Sequence, residues 1–151
     1  MKTEKIMAAF QFVNNKVVEF LIQNKLLSKK GETVKIDAGI DYEIIDCNKI
    51  KDGYLGVVDF IVDLRGKTEE DELFNIHLKM RGNFVGSGDK LTIDKFREML
   101  EVNGTATLSQ ISRAYIISVT SLSGMHPVNL PMINIYEMKK HKDKSSDDTS
   151  H

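Results

Sequence analysis

Residues 34–44, VKIDAGIDYEI, alternate without a break. The even positions are Val34, Ile36, Ala38, Ile40, Tyr42 and Ile44, and the odd ones Lys35, Asp37, Gly39, Asp41 and Glu43. Successive side chains of a strand point to opposite faces, so this period predicts a strand with one buried face. The pattern returns in residues 54–64, with Val58, Phe60, Val62 and Leu64 on one side and Val57, Asp59, Ile61 and Asp63 on the other. It returns again in residues 72–84, where Phe74, Ile76, Leu78, Met80 and Phe84 face inward and Asn75, His77, Lys79 and Arg81 outward. An earlier strand, AAFQFVNNKVVEFLI (residues 8–22), offers Phe10, Phe12, Val18, Phe20 and Ile22, with Asn14–Asn15 as a bulge or bend. The joints NKIKDGY and GKTEED are short and polar, which predicts a hairpin-linked antiparallel meander.

After Phe84 the period changes. GSGD is a loop signal. Thr92 is placed to cap a helix through IDKFREML, with Asp94 in its first turn. Asn103–Gly104 reads as the end of that helix and Thr105 as the start of another. Leu108, Ile111, Tyr115, Val119 and Leu122 recur at spacings of three and four, Ile116 and Ile117 widen the stripe, and Gly124 stops it. HPVNLPMINIYEM reads as an extended apolar loop, and KKHKDKSSDDTSH as a polar, disordered tail. Strands first and helices after them make an α+β order: a four-stranded antiparallel sheet covered on one face by a long helix and a shorter one. The long helix is apolar around more than one side, which predicts a partner beyond its own sheet.

The chain has 151 residues, enough for one domain with a sizeable core. Its net charge of −1 lacks the basic footprint of a nucleic-acid or membrane-surface binder. The single cysteine, Cys47, excludes an intrachain disulfide and fits a reducing, cytoplasmic setting. MKTEKIMAAF has no apolar core of the kind a signal peptide needs, and no run is long enough to predict membrane insertion.

Little in the sequence announces chemistry. His77 shares a polar strand face with Lys79 and Arg81 and reads as a solvated residue in preference to a general base. His126 precedes Pro127 in a loop, and His141 and His151 fall in the tail. No HxxxH, CxxC or HxE spacing predicts a metal site, and RGNFVGSGDK is not a phosphate loop. Cys47 sits at an outward position, a packed or half-exposed structural thiol by default. Asp41, Glu43, Asp59 and Asp63 share the outward side of two strands. Their first reading is a wet sheet face neutralised by Lys79 or Arg81, their second a docking patch for a basic partner, and a catalytic carboxylate pair comes a distant third. No cofactor is implied, and the chain does not read as an enzyme.

Asn103-Gly104-Thr105, Leu108, Arg113-Ala114-Tyr115-Ile116, Ser118, Thr120, Leu122, Gly124, Pro127-Val128 and Leu130-Pro131 together resemble the SecB family of export chaperones, in its divergent SecB-like branch. The element order agrees from about Phe10 to Met138. The resemblance implies a homotetramer built as a dimer of dimers, with long helices between subunits. It also implies non-native polypeptide clients held without ATP in an apolar groove, and a SecA-type motor or an antitoxin as further partners. Ser109-Gln110-Ile111 stands where the family carries an aromatic Phe-Pro-Tyr turn, the final helix looks truncated, and the Cys/His zinc tail is missing. Zinc-assisted docking to SecA is therefore not supported.

On this reading residues 1–140 form the SecB-like domain and residues 141–151 the tail. The candidate groove contacts are Leu108, Ile111, Tyr115, Met125, Val128, Leu130, Met132 and Ile133. The first three serve equally well as core or subunit interface, and Met125 to Ile133 as a loop packed on its own domain. The partner-docking candidates are Asp41, Glu43, Asp59 and Asp63. The competing class is a small-ligand binder or enzyme with a pocket under the long helix, which requires convergent polar groups that the inward strand faces lack.

Overall fold

A computed structural model describes residues 8–25 and 33–148, with side chains to residue 145. Four strands come first: β1 (Phe10–Asn24), β2 (Lys35–Ile50), β3 (Gly53–Lys67) and β4 (Glu72–Ser87). They form one antiparallel sheet in the order β1-β4-β3-β2. Hairpins join β2 to β3 and β3 to β4, as the short polar joints predict. β1 returns along the far side of β4, so β1 and β2 are the two edges.

The central strands behave as their alternation predicts. Val58, Phe60, Val62 and Leu64 of β3, and Phe74, Ile76, Leu78, Met80 and Phe84 of β4, are all buried on one face. The edge strands do not. On β2 only Tyr42 of the even positions is fully buried, and Ile36 is 43% exposed. Val34 lies just before the strand and Ile44 at its one register shift, between Ile44 and Asp46. That bulge reverses the parity of everything after it, so Cys47, opposite Gly56, turns inward and packs against the core. The outward placement expected for Cys47 is corrected. β1 carries two shifts, Phe12/Asn14 and Val17/Glu19, which bracket Asn14–Asn15 and leave Val18 exposed and unpaired.

The helical layer differs more. Thr92 caps α1 (Ile93–Met99) as expected, its Oγ1 accepting from the Lys95 N–H at 3.1 Å. Asn103–Gly104 does not end the helix. Leu100–Gly104 forms a π turn in line with α1, and α2 (Thr105–Leu122) continues from it. Gly104 keeps a right-handed helical conformation, φ −63° and ψ −49°. A Cβ there would sit 3.4 Å from the Phe84 ring, an ordinary contact, so the glycine is buried over the sheet as a plain helical residue. Phe96, Leu100, Gly104, Leu108, Ser112, Ile116 and Thr120 are all buried, one every fourth residue. Such a ridge is inclined to a straight α-helix axis, and the wider π turn brings it back into line over the sheet. The buried ridge thus includes Ser112 and Thr120, while Leu122 of the predicted apolar stripe is 87% exposed. Gly124 (φ +78°) terminates the rod, as predicted.

The polar tail is also corrected. α3 spans Ile135–Asp148, well into the segment expected to be disordered and beyond the expected truncation of the final helix. It is anchored at both ends of its first two turns. Ile135 is buried, and the Lys142 ammonium lies 4.4 Å from the centre of the Tyr42 ring, 3.1 Å from Asp41 Oδ1, and donates to the Tyr42 carbonyl. A long aliphatic stem with a cationic tip docks where composition alone reads only polarity. The boundary drawn at residue 140 therefore does not mark the end of regular structure. Among the described residues no helix is long and apolar enough to cross a membrane.

Candidate functional site

Two spaces border edge strand β2, the first also reaching Asn24 at the end of β1 and Leu73 at the start of β4. The first, about 420 Å³, is walled by Val34, Ile36, Phe74, Met125, His126 and Val128 among others. The second, about 720 Å³, is walled by Ala38, Ile40, Met132, Ile133 and Met138, with Asp41, Glu137, His141 and Lys142 at a polar end. The sheet supplies the floor, and the loop between α2 and α3 with the start of α3 supplies the opposite wall.

The loop is held by a few specific bonds. Thr120 Oγ1 donates to the Ile116 carbonyl at 2.7 Å and accepts from the Val128 N–H at 3.0 Å. Arg113 Nε donates to the Leu130 carbonyl at 3.1 Å. Val128 and Leu130 are buried to 5% and 2% exposure, so these two residues pin the loop to its own domain. Met132, 86% exposed, is left standing at the surface beside the second space.

The structure divides the eight candidate groove residues. Leu108 is fully buried in the core, and Val128 and Leu130 are loop anchors. Tyr115 lies over the opposite edge of the sheet, meeting Phe20 of β1 edge-on at 5.3 Å, and Ile111 packs half-buried against the core. Met125, Met132 and Ile133 remain on the cleft, with Val128 contributing to its wall. Val34, Ile36, Ala38 and Ile40 belong there as well, although their alternation predicts burial. The missing signal is position in the sheet: an edge strand has a neighbour on one side only, and the helices lie over the centre.

The acidic set divides too. Asp59 is 1% exposed and forms a two-pronged pair with Arg81, Nε to Oδ1 at 2.7 Å and Nη2 to Oδ2 at 2.9 Å. It is withdrawn from solvent and unavailable to an incoming partner, contrary to its expected place on a docking surface. Hydrogen bonding to the carboxylate raises the Arg81 pKa still further above its ordinary value. Asp41 is engaged by Lys142, and Asp63 by His77, while Glu43 stays exposed opposite Asp59.

His77 is not a simple solvated residue. Its Nδ1 lies 2.8 Å from Asp63 Oδ1 and its Nε2 2.8 Å from Glu19 Oε2, a ladder across β3, β4 and β1. Hydrogen bonds to Glu19 first and Asp63 second favour the imidazolium and raise its pKa above the ordinary 6.5. A group whose folded pKa is raised stabilises fully below its unfolded value and loses that contribution as pH climbs through the folded value. Glu19, lowered chiefly by the bond from His77 and then by Lys79, works in the opposite sense, losing its contribution as pH falls through its folded value. Wild type should therefore exceed His77→Gln in melting temperature most at about pH 6, and the gap should close by about pH 9. Thermal melts at the two pH values check this, and a gap that widens with pH contradicts the assignment.

Tyr42 fastens β2 to the helical layer. Its hydroxyl donates to Glu101 Oε2 at 3.1 Å. Burial first, and the Glu101 carboxylate next, push the phenol well above its usual range, so it stays protonated and keeps the proton it donates to Glu101.

No protein-family model matches the chain, and no curated protein matches it. Among solved structures it is similar to the Mycobacterium tuberculosis Rv1957 SecB-like chaperone in complex with a ChAD peptide from the Rv1956 HigA1 antitoxin. The TM-score is 0.68 at 13% identity, over 83% of this chain and 91% of that one. A Streptococcus agalactiae protein of unknown function matches at a TM-score of 0.43 and 14% identity, over 83% of this chain and 100% of that one. The four-stranded antiparallel sheet with its long helix and shorter helix is a SecB-like fold.

Proposed function

We propose that this chain is an ATP-independent chaperone that holds extended segments of non-native polypeptide in the cleft between β2 and the α2–α3 loop. The observation that carries this reading is the pair of spaces running from Val34 to Ile40 beneath Met125, Met132 and Ile133. Unfolded chains expose apolar side chains, and burying them contributes about 25 cal/mol per Å², so an open apolar cleft gains affinity without chemistry. Methionine suits varied clients because its unbranched side chain adapts. The SecB-like fold supports the reading, as does the antitoxin peptide bound by the mycobacterial protein. A dedicated client of that kind, or pre-export polypeptide, is the proposed substrate class. A cytoplasmic location goes with it.

The test is dilution of a denatured client with and without the protein while aggregation is followed. Wild type should suppress aggregation. The double variant Met125→Ser, Ile133→Ser should need several-fold more protein for equal suppression, with helix content close to wild type. Both side chains also pack against the core, so Met132→Ser, at a side chain 86% exposed, is the companion that leaves the melting temperature unchanged. Full activity in the double variant would move the client away from the cleft. A small-ligand pocket, the competing class, would show itself as undiminished aggregation and saturable ligand binding at the polar end near Asp41 and Lys142.

We also propose a homo-oligomer, with a dimer of dimers as its form. Edge strand β1 exposes Phe12, Val13, Val17, Val18 and Leu21, all at least 38% accessible in the single chain, and Leu122 stands free at the end of α2. An apolar edge of this length invites pairing or cover. Light scattering at micromolar concentration should give a mass of at least two chains, and a clean monomer would contradict the proposal.

A further inference from the structure

Sulfur gathers along the cleft. Five methionines lie among the described residues. Met125 borders the first space, and Met132 and Met138 border the second. The other two stand elsewhere. Met80 is 1% exposed, its sulfur accepting from Asn15 Nδ2 at 3.4 Å, and Met99 is half-buried at the end of α1. Cys47, the remaining described sulfur, is half-buried and packed against the core. Met132 differs from all of these in being open to solvent, at 86% exposure.

That exposure is set by the backbone on both sides. Leu130, two residues earlier, is 2% exposed, and its carbonyl accepts from Arg113. Pro131 restricts φ directly before Met132. Ile135, three residues later, is buried at the start of α3, and the Asn134 side chain accepts from the Glu137 N–H at 3.1 Å. The Met132 side chain is thus presented at the second space from a pinned loop. The fold draws little from a side chain this exposed, so its chemistry can change without cost to the core. The β1 edge offered to a second copy is the far edge of the sheet from β2, so pairing there leaves Met132 open.

We propose that Met132 is a reversible redox-modification site whose oxidation turns client holding down. This rests on the chaperone reading and adds a regulation to it. The oxidant is a hydroperoxide, with hydrogen peroxide as the simplest case. A sulfur lone pair attacks one peroxide oxygen, and an S–O bond forms as the O–O bond breaks. The second oxygen leaves as hydroxide and takes up the proton shed by the first, giving water. The thioether is oxidised by two electrons to the sulfoxide, and the peroxide is reduced. A polar, chiral S=O group then replaces an adaptable apolar tip. The neighbouring wall residues Ala38, Ile40 and Ile133 offer a client apolar contact, and covering a sulfoxide oxygen with apolar groups is unfavourable. A thiol-dependent sulfoxide reductase can reach so exposed a side chain and reverse the change. Met80 is enclosed, so the core survives a dose of oxidant that switches the cleft.

The test treats the full chain with hydrogen peroxide. Peptide mass spectrometry follows sulfoxide at each methionine while aggregation of a denatured client is measured. Sulfoxide should form at Met132 at least about tenfold faster than at Met80, with Met125 and Met138 between them. Holding should fall about threefold or more as Met132 is converted, and return after treatment with thiol and reductases for both sulfoxide epimers. Met132→Gln, which carries a permanent polar group, should resemble the oxidised protein without peroxide. Met132→Leu, scored against its own untreated state, should lose little holding at the same dose. Unchanged holding at full conversion of Met132 would overturn the switch and leave the chaperone reading standing. So would an equal loss in Met132→Leu, which would assign the effect to another methionine, or a loss accompanied by a fallen helix signal, which would assign it to unfolding. Untreated wild type that fails to suppress aggregation would overturn the chaperone reading, and the switch with it.

Discussion

Replacing Asp59 with Asn should lower stability by about 2–3 kcal/mol, although alternation places residue 59 on the wet side of the sheet. Its side chain is 1% exposed, and both carboxylate oxygens are taken by Arg81. Removing one member of a buried pair typically costs about 3–5 kcal/mol because the remaining charge is stranded. Arg81 is 29% exposed, so water recovers part of that, which sets the lower figure. Denaturant unfolding of Asp59→Asn alongside Asp59→Asn, Arg81→Met separates the causes. If the second change restores most of the stability, the loss came from the stranded guanidinium. If Asp59→Asn unfolds like wild type, the pair is not structural and Asp59 returns to the docking surface. Asp63→Asn, at a side chain 54% exposed, should change stability far less.

Phe96→Ala should cost about 3–5 kcal/mol and roughly 10 °C in melting temperature. Phe96 is fully buried, stacks on Tyr54 at 5.3 Å and 22°, and meets Phe10 at 5.7 Å. Its ring fills a slot made by two glycines of adjacent strands: a Cβ on Gly86 would come within 2.5 Å of the ring, and one on Gly56 within 3.1 Å. Glycines have no side chains with which to fill the cavity, so little relaxation offsets the loss. Because α1 has only this one buried residue, its helical signal should weaken before the sheet melts. A drop of less than about 3 °C would show that the Thr92 cap and the π turn hold α1 without Phe96.

The sequence by itself determined the central sheet, the two hairpins, the Thr92 cap and the stop at Gly124, because each depends on chemistry within a few residues. The period of two in β3 and β4 needed only the next residue, and Gly124 only its own φ. The residues from Asn103 to Pro131 were also enough to carry the resemblance to a SecB-like fold. Tertiary structure decided what depends on a distant partner. Asn103–Gly104 looks like a helix end, yet Gly104 lies buried over Phe84 in a right-handed helical conformation, and the helix continues through a π turn. Asp59 alternates as a solvent residue, but Arg81 on the next strand closes over it. Cys47 changed faces because a bulge upstream shifted the register. The polar residues of α3 became a helix once Lys142 had Tyr42 and Asp41 to meet. The cleft itself was invisible in the pattern of Ile36, Ala38 and Ile40, because alternation says which way a side chain points but not whether anything lies there to cover it.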